Sequence, residues 1–98
     1  MTLRVDPEKN EVEALKNVTD WRGKRVLEIG CGDGRLTLRL AQLGAIVYAS
    51  DPKPEAIAKA RKALPKKFKG KVRYRVAQAE QVSHRDESFD AVIFAWSL

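Results

Sequence analysis

The chain has 98 residues, with 19 Lys and Arg against 13 Asp and Glu, a formal net charge of +6, one cysteine and one histidine. That length closes a single core, so residues 1–98 are expected to form one domain, with residues 1–24 as a leading helix and turn. The longest apolar run, Ala91 to Trp96, falls far short of the roughly 20 residues that cross a bilayer, Met1 to Asn10 lacks an apolar signal region, and Cys31 alone excludes an internal disulfide or thiolate metal cluster. A cytoplasmic protein with no membrane or metal partner is the expectation.

In chain order, Pro7 to Val18 reads as a short helix, with Asp6 as N-cap, Pro7 and Glu8 in the first turn, and Val12, Leu15 and Val18 on one stripe. Trp21 to Lys24 turns the chain into "RVLEI", a compact apolar first strand ending at Gly30. Asp33 to Leu43 places Leu36, Leu40 and Leu43 on one helix face, and Gly44 supplies the left-handed stop. "AIVYAS", Ala45 to Ser50, is the second strand. Pro52 and Pro54 fit the opening of the helix carrying Ile57, Ala60 and Leu64, which ends before Pro65.

Val72 to Ala77 alternates Val72, Tyr74 and Val76 with Arg73 and Arg75, as an edge strand with one wet face does. Phe89 to Trp96 is apolar on both faces, as a buried central strand is. The sum is an α/β fold, a Rossmann-like three-layer sandwich with right-handed crossovers. Ten of the nineteen cations lie between Lys53 and Arg75, where Glu55 is the only acid. One basic face follows. It suits nucleic acid or an acidic partner, but the tract lacks interleaved stacking aromatics, so a solvated helix and a charge-protected edge is the favoured reading.

In such sheets ligands bind beyond the carboxyl ends of the strands, which gathers Gly30 to Gly34, Asp51 and Gln78 at one rim. Glycines there let a ligand approach the backbone. Asp51 follows Gly30 by 21 positions, where a carboxylate can accept hydrogen bonds from both ribose hydroxyls, so the ligand contains adenosine. A dinucleotide loop would need glycine where Arg35 or Thr37 stands, and the phosphate-loop Gly-Lys is absent. The pattern is instead E-x-G-x-G-x-G, over Glu28, Gly30, Gly32 and Gly34.

With those residues the sequence resembles the class I S-adenosylmethionine-dependent methyltransferases, type 11, the group of the ubiquinone and menaquinone biosynthesis enzymes. The resemblance covers about Arg25 to Leu98 and rests on "VLEIGCGDGRLT", "VYASDPKPEAIAKA" and "VAQAEQVSHRDESFDAVIFAWSL". It implies S-adenosyl-L-methionine as cofactor, methyl transfer to an unidentified acceptor, and strand order 3-2-1-4 with the fold truncated after the fourth strand. It also implies site roles: Glu28 orienting the methionine end, Gly30, Cys31 and Gly32 offering backbone, Asp51 holding the ribose, Pro52 flanking the adenine, and Gln78 with Ala79 meeting its edge. The family has aspartate where Gln78 stands, although a glutamine carbonyl still accepts from the exocyclic amine, and its "LPF" loop reads Val82, Ser83, His84 here.

No catalytic side chain is assigned. Cys31 reads as a small residue fitting the loop rather than a nucleophile, and His84 as an exposed loop residue rather than a base. Glu28 has the alternative of a helix-facing charge, and Asp51 that of an N-cap. Ending at the fourth strand leaves an apolar edge, so a homo-oligomer through that edge is expected, with little turnover by the truncated fold. The contrasting function is a non-catalytic binding or assembly module that uses the basic face.

Overall fold

A computed structural model describes residues 1–5, 11–81 and 88–95. Five strands form one wholly parallel sheet: β1 (Thr2–Val5), β2 (Arg25–Ile29), β3 (Ile46–Asp51), β4 (Val72–Val76) and β5 (Ala91–Ala95), in the order β1-β5-β2-β3-β4. The four strands read from the sequence are β2 to β5, and their order is the expected 3-2-1-4, with β4 at the edge. The N-terminal strand β1 adds to this order beyond β5, pairing Thr2 with Val92 and Val5 with Ala95.

That strand corrects two expectations. Residues 1–24 contribute a strand as well as a helix, and the side of β5 expected to lie open for self-association carries β1. The rationale for an oligomer through the fourth strand is therefore removed, because the ladder groups that would have recruited a second copy are already paired. Part of the expected leading helix, Pro7 to Val18, is described. Its described part is one turn, α1 (Glu11–Ala14), tightening into a 3₁₀ turn over Leu15–Asn17, while Asp6 to Asn10 lie outside the described residues.

The helices α2 (Arg35–Gln42) and α3 (Pro54–Ala63) connect β2 to β3 and β3 to β4. Both crossovers step the same way along the sheet, so right-handedness puts both helices on one face. There Leu36, Leu40, Ile57 and Ala60 close over Val26, Val47, Val72 and Ile93, with Trp21 and Leu15 sealing the end. The indole N–H of Trp21 donates to the Leu15 carbonyl at 2.7 Å, which satisfies the one polar group of a ring only 2% exposed. The opposite face carries a smaller cluster, Leu27, Ile29, Ala77 and Val92, with Tyr48, Phe89 and Phe94 packed against it. No α-helix covers that face among the described residues, so they supply two of the three expected layers.

Proline and glycine set the element ends as their chemistry requires. Pro54 opens α3 at a position where a backbone N–H has no helical partner, and Leu64 before Pro65 leaves the helical region at ψ 119°. Ile93 lies at the centre of this packing, with none of its surface exposed. Ile93→Ala is expected to cost about 2–5 kcal/mol, since β5 is clamped between two strands and cannot collapse into the hole. A urea titration checks this through a lowered midpoint with an unchanged slope.

Candidate functional site

Beyond the end of β2 the ladder continues in altered form. The backbone N–H groups of Gly30 and Cys31 both donate to the Ser50 carbonyl, at 2.8 and 2.9 Å, and the Gly34 N–H closes a turn onto the Cys31 carbonyl at 3.0 Å. Between them the Gly32 N–H donates to Asp51 Oδ2 at 2.9 Å, while Asp51 Oδ1 accepts from the Lys53 N–H at 2.9 Å. The second contact is a local turn that an aspartate makes two residues ahead of itself. The Asp51 carbonyl accepts from the Ala77 N–H at 3.1 Å. One residue thus ties the glycine loop, the entry to α3 and the exit of β4.

The loop glycines answer different demands. A Cβ on Gly34, at φ +91°, would lie 2.5 Å from the Tyr74 hydroxyl, and one on Gly30 would lie 2.8 Å from the Ala95 carbonyl oxygen. Gly32, at φ +56°, has nothing within 4 Å of that position. Its open side faces two adjoining cavities. The smaller, about 390 Å³, is lined by Gly30, Cys31, Gly32, Asp33, Lys53 and Lys59 among others. The larger, about 520 Å³, has Arg4, Gly30, Gly32, Asp51, Pro52 and Phe94 in its wall.

Beneath the loop, on the helix side, Glu28 is completely buried. Its Oε1 accepts from the Thr37 hydroxyl, and its Oε2 has no partner among the described residues. Burial pushes its carboxyl up to about 7; the Thr37 hydrogen bond opposes that rise and the Asp51 charge adds to it. The Tyr74 hydroxyl, also buried without a hydrogen-bond partner, is pushed up to about 12, first by burial. Cys31 is buried, and its thiol is raised by burial and then by the Glu28 and Asp51 charges. The rise disfavours the thiolate, the form in which a cysteine acts as a nucleophile.

Gly30, Cys31, Gly32, Asp51 and Pro52 are therefore brought together around one space. Glu28 lines neither cavity and supports the loop from below. Gln78 and Ala79 are exposed in the segment after β4 and are absent from both walls. Val82, Ser83 and His84 lie outside the described residues. Sequence reasoning missed Lys53 and Ala56, which line both cavities, and Arg4 and Phe94 in the larger one. Lys53 carried a signal, since an aspartate two positions ahead of a helix start captures that residue's N–H. Arg4 carried none, because its strand was not foreseen.

A family model described as a methyltransferase domain matches residues 26–98. The chain belongs to this family. An uncharacterized methyltransferase of Mycobacterium bovis is 39% identical over 83 residues, which is 85% of this chain and 32% of that protein. The ubiquinone biosynthesis O-methyltransferase of Rhizobium rhizogenes is 38% identical over 78 residues, 80% of this chain and 31% of its own. The chain thus spans about a third of the length of these curated relatives. Among solved structures, an S-adenosylmethionine-dependent methyltransferase from Mesorhizobium loti superposes with a TM-score of 0.75 at 24% identity over 93% of this chain and 40% of its own, which shows the fold. The magnesium protoporphyrin IX methyltransferase of Synechocystis, solved with bound SAH, gives 0.72 at 27% identity over 86% of this chain and 38% of its own. The Rossmann-like methyltransferase fold read from the glycine motif is the fold of these proteins.

Two substitutions separate close packing from open space in the loop of this family member. Gly34→Ala is expected to destabilise the chain by at least about 1 kcal/mol more than Gly32→Ala, since both strain a left-handed residue but only Gly34 also meets Tyr74. Thermal unfolding of the pair measures the difference. Glu28 sets a pH dependence whose sign is fixed by its raised value. Between its ordinary 4.5 and about 7 the folded state binds the extra proton, so this contribution is full below 4.5 and is lost as pH rises through 7. Glu28→Gln should flatten that decline, on the order of 3 kcal/mol, and stability curves at pH 5 and pH 8 test it.

Proposed function

We propose that this chain binds S-adenosyl-L-methionine in the joined cavities around Gly32 and serves methyl transfer to an acceptor substrate. The observation that carries this reading is the pairing of a backbone with open space at Gly32 and a carboxylate, Asp51, anchored next to it. The flanking Gly30 and Gly34, by contrast, have their Cβ directions filled by the protein itself. The residues fit the cofactor on chemical grounds. Asp51 uses one acceptor site on each oxygen for Gly32 and Lys53, and an ionised carboxylate has about four, so two remain for a pair of ribose hydroxyls.

The cofactor supplies a methyl group already activated by the positive charge on its sulfur. Asp51 orients the ribose, and the Gly30 to Gly32 backbone accepts the chain between ribose and amino acid at close range. Pro52 in the larger cavity flanks the base, whereas Gln78 and Ala79, which the family resemblance would set at its edge, line neither cavity. Glu28 acts at one remove, holding Thr37 at the first turn of α2 and so the loop that precedes it. None of these groups transfers a proton. Alignment of donor with acceptor is the protein's contribution, and orientation of this kind is worth up to roughly 7–11 kcal/mol of a barrier.

Isothermal titration with S-adenosylmethionine and S-adenosylhomocysteine tests the reading. Both are expected to bind, NAD is not, and Asp51→Ala should weaken binding at least about tenfold, or about 1.4 kcal/mol. Absence of binding to the unsubstituted chain, or equal affinity in Asp51→Ala, would end this reading.

A further inference from the structure

On the sheet face opposite α2 and α3, a third cavity of about 370 Å³ opens beside β4, with Leu27, Tyr48, Ser50, Arg73, Arg75 and Phe89 in its wall. Arg73 and Arg75 point to this face because Val72 and Tyr74, the alternate residues of the strand, turn into the helix-side core. Both arginines are exposed, and neither has a hydrogen bond or ion pair among the described residues. Tyr48 and Phe89 meet edge to face, with centroids 5.6 Å apart, and the Arg25 guanidinium lies 5.6 Å from one ring centre and 5.7 Å from the other. Among the described residues no acid lines the cavity. The nearest in sequence, Asp90, accepts the Arg25 backbone N–H at 2.8 Å.

We propose that this cavity and the basic edge of β4 bind a single-stranded nucleic acid. Such a ligand needs two things together: unneutralised cations spaced along a path for its phosphates, and aromatic surface for unstacked bases. The tract from Lys53 to Arg75 supplies the first, with ten cations against Glu55 alone. Lys66 and Lys67 in the turn after α3, Lys69 and Lys71 before β4, and Arg73 and Arg75 on it are all exposed. The tract itself contains only Phe68 and Tyr74 as aromatics, and Tyr74 is buried. Folding brings the missing aromatics from elsewhere, Tyr48 from β3 and Phe89 from the approach to β5, to the same wall as Arg73 and Arg75. An acidic protein would match the charge and leave the aromatic pair without a role.

The site lies apart from the glycine loop, so its test is independent of donor binding. Fluorescence anisotropy of labelled uridine oligomers of about 12 nucleotides, as RNA and as DNA, is measured between roughly 50 and 200 mM salt. The chain is expected to bind, with affinity falling as salt rises. Arg73→Gln/Arg75→Gln should lose about tenfold or more and shallow the slope by about 1.4, two phosphates at roughly 0.7 each. Tyr48→Leu keeps the apolar packing and should lose about fivefold or more with the slope unchanged. Lys16→Gln/Arg22→Gln removes the same charge elsewhere and should change little beyond a general salt effect. A preference for RNA or DNA identifies the source of the strand and supports the site either way. Absence of binding at low salt, equal losses in both double variants, or full affinity in Tyr48→Leu overturns the proposal. Circular dichroism and thermal unfolding, both expected to be unchanged, show that the variants are folded.

Discussion

The glycine loop depends on the end of β3. Three glycines in five positions form a segment that loses more conformational freedom on folding than one of residues with side chains. The parallel ladder of β2 with β3 ends at Ile29 and Ser50, and past that point no strand remains to hold the loop. The Ser50 carbonyl takes two consecutive loop N–H groups, and the Asp51 side chain takes a third. A side-chain carboxylate therefore does the work of a strand carbonyl one step further on, and the loop is shaped before any ligand arrives.

The layer below is organised by burying a carboxylate, which runs against ordinary solvation. Glu28 follows Val26 by two positions, so strand alternation sends it into the helix-side core together with Val26. Thr37 meets one oxygen, and Tyr74 stands close enough to the loop that Gly34 admits no side chain beside its hydroxyl. A polar group left unpaired in such a place costs stability. The arrangement exchanges folding energy for a fixed relation between β2 and the first turn of α2, with the Tyr74 ring of β4 packed against the loop that joins them.

Much of this was legible because the sequence writes periodicity plainly. Four strands, the helix faces and the edge position of β4 followed from alternation and from proline and glycine punctuation, while their order followed from the family resemblance. β1 did not. Its four residues offer only Leu3 and Val5 as an inward pair, too short a pattern to separate from any chain terminus, and its partner β5 lies 90 residues away. The site was legible to the extent that it is backbone. Gly30, Gly32 and Asp51 were found through spacing, while Arg4 and Phe94 reached the cavity through a pairing that spacing does not encode. Glu28 was found for its charge, but its burial comes from the α2 residues packed over it, and the aromatic wall beside Arg73 and Arg75 was invisible for the same reason.

The three loop glycines bear on how such a motif should be interpreted. Gly30 is required by the Ala95 carbonyl and Gly34 by the Tyr74 hydroxyl, both parts of the protein itself. Only Gly32 is left bare toward open space. Two of the three therefore report how closely β2, β4 and β5 are drawn together at their carboxyl ends, a property of the sheet that persists whatever it binds. Glycine count in this loop therefore measures tightness of packing first, and of the three only Gly32 omits a side chain without relieving a contact.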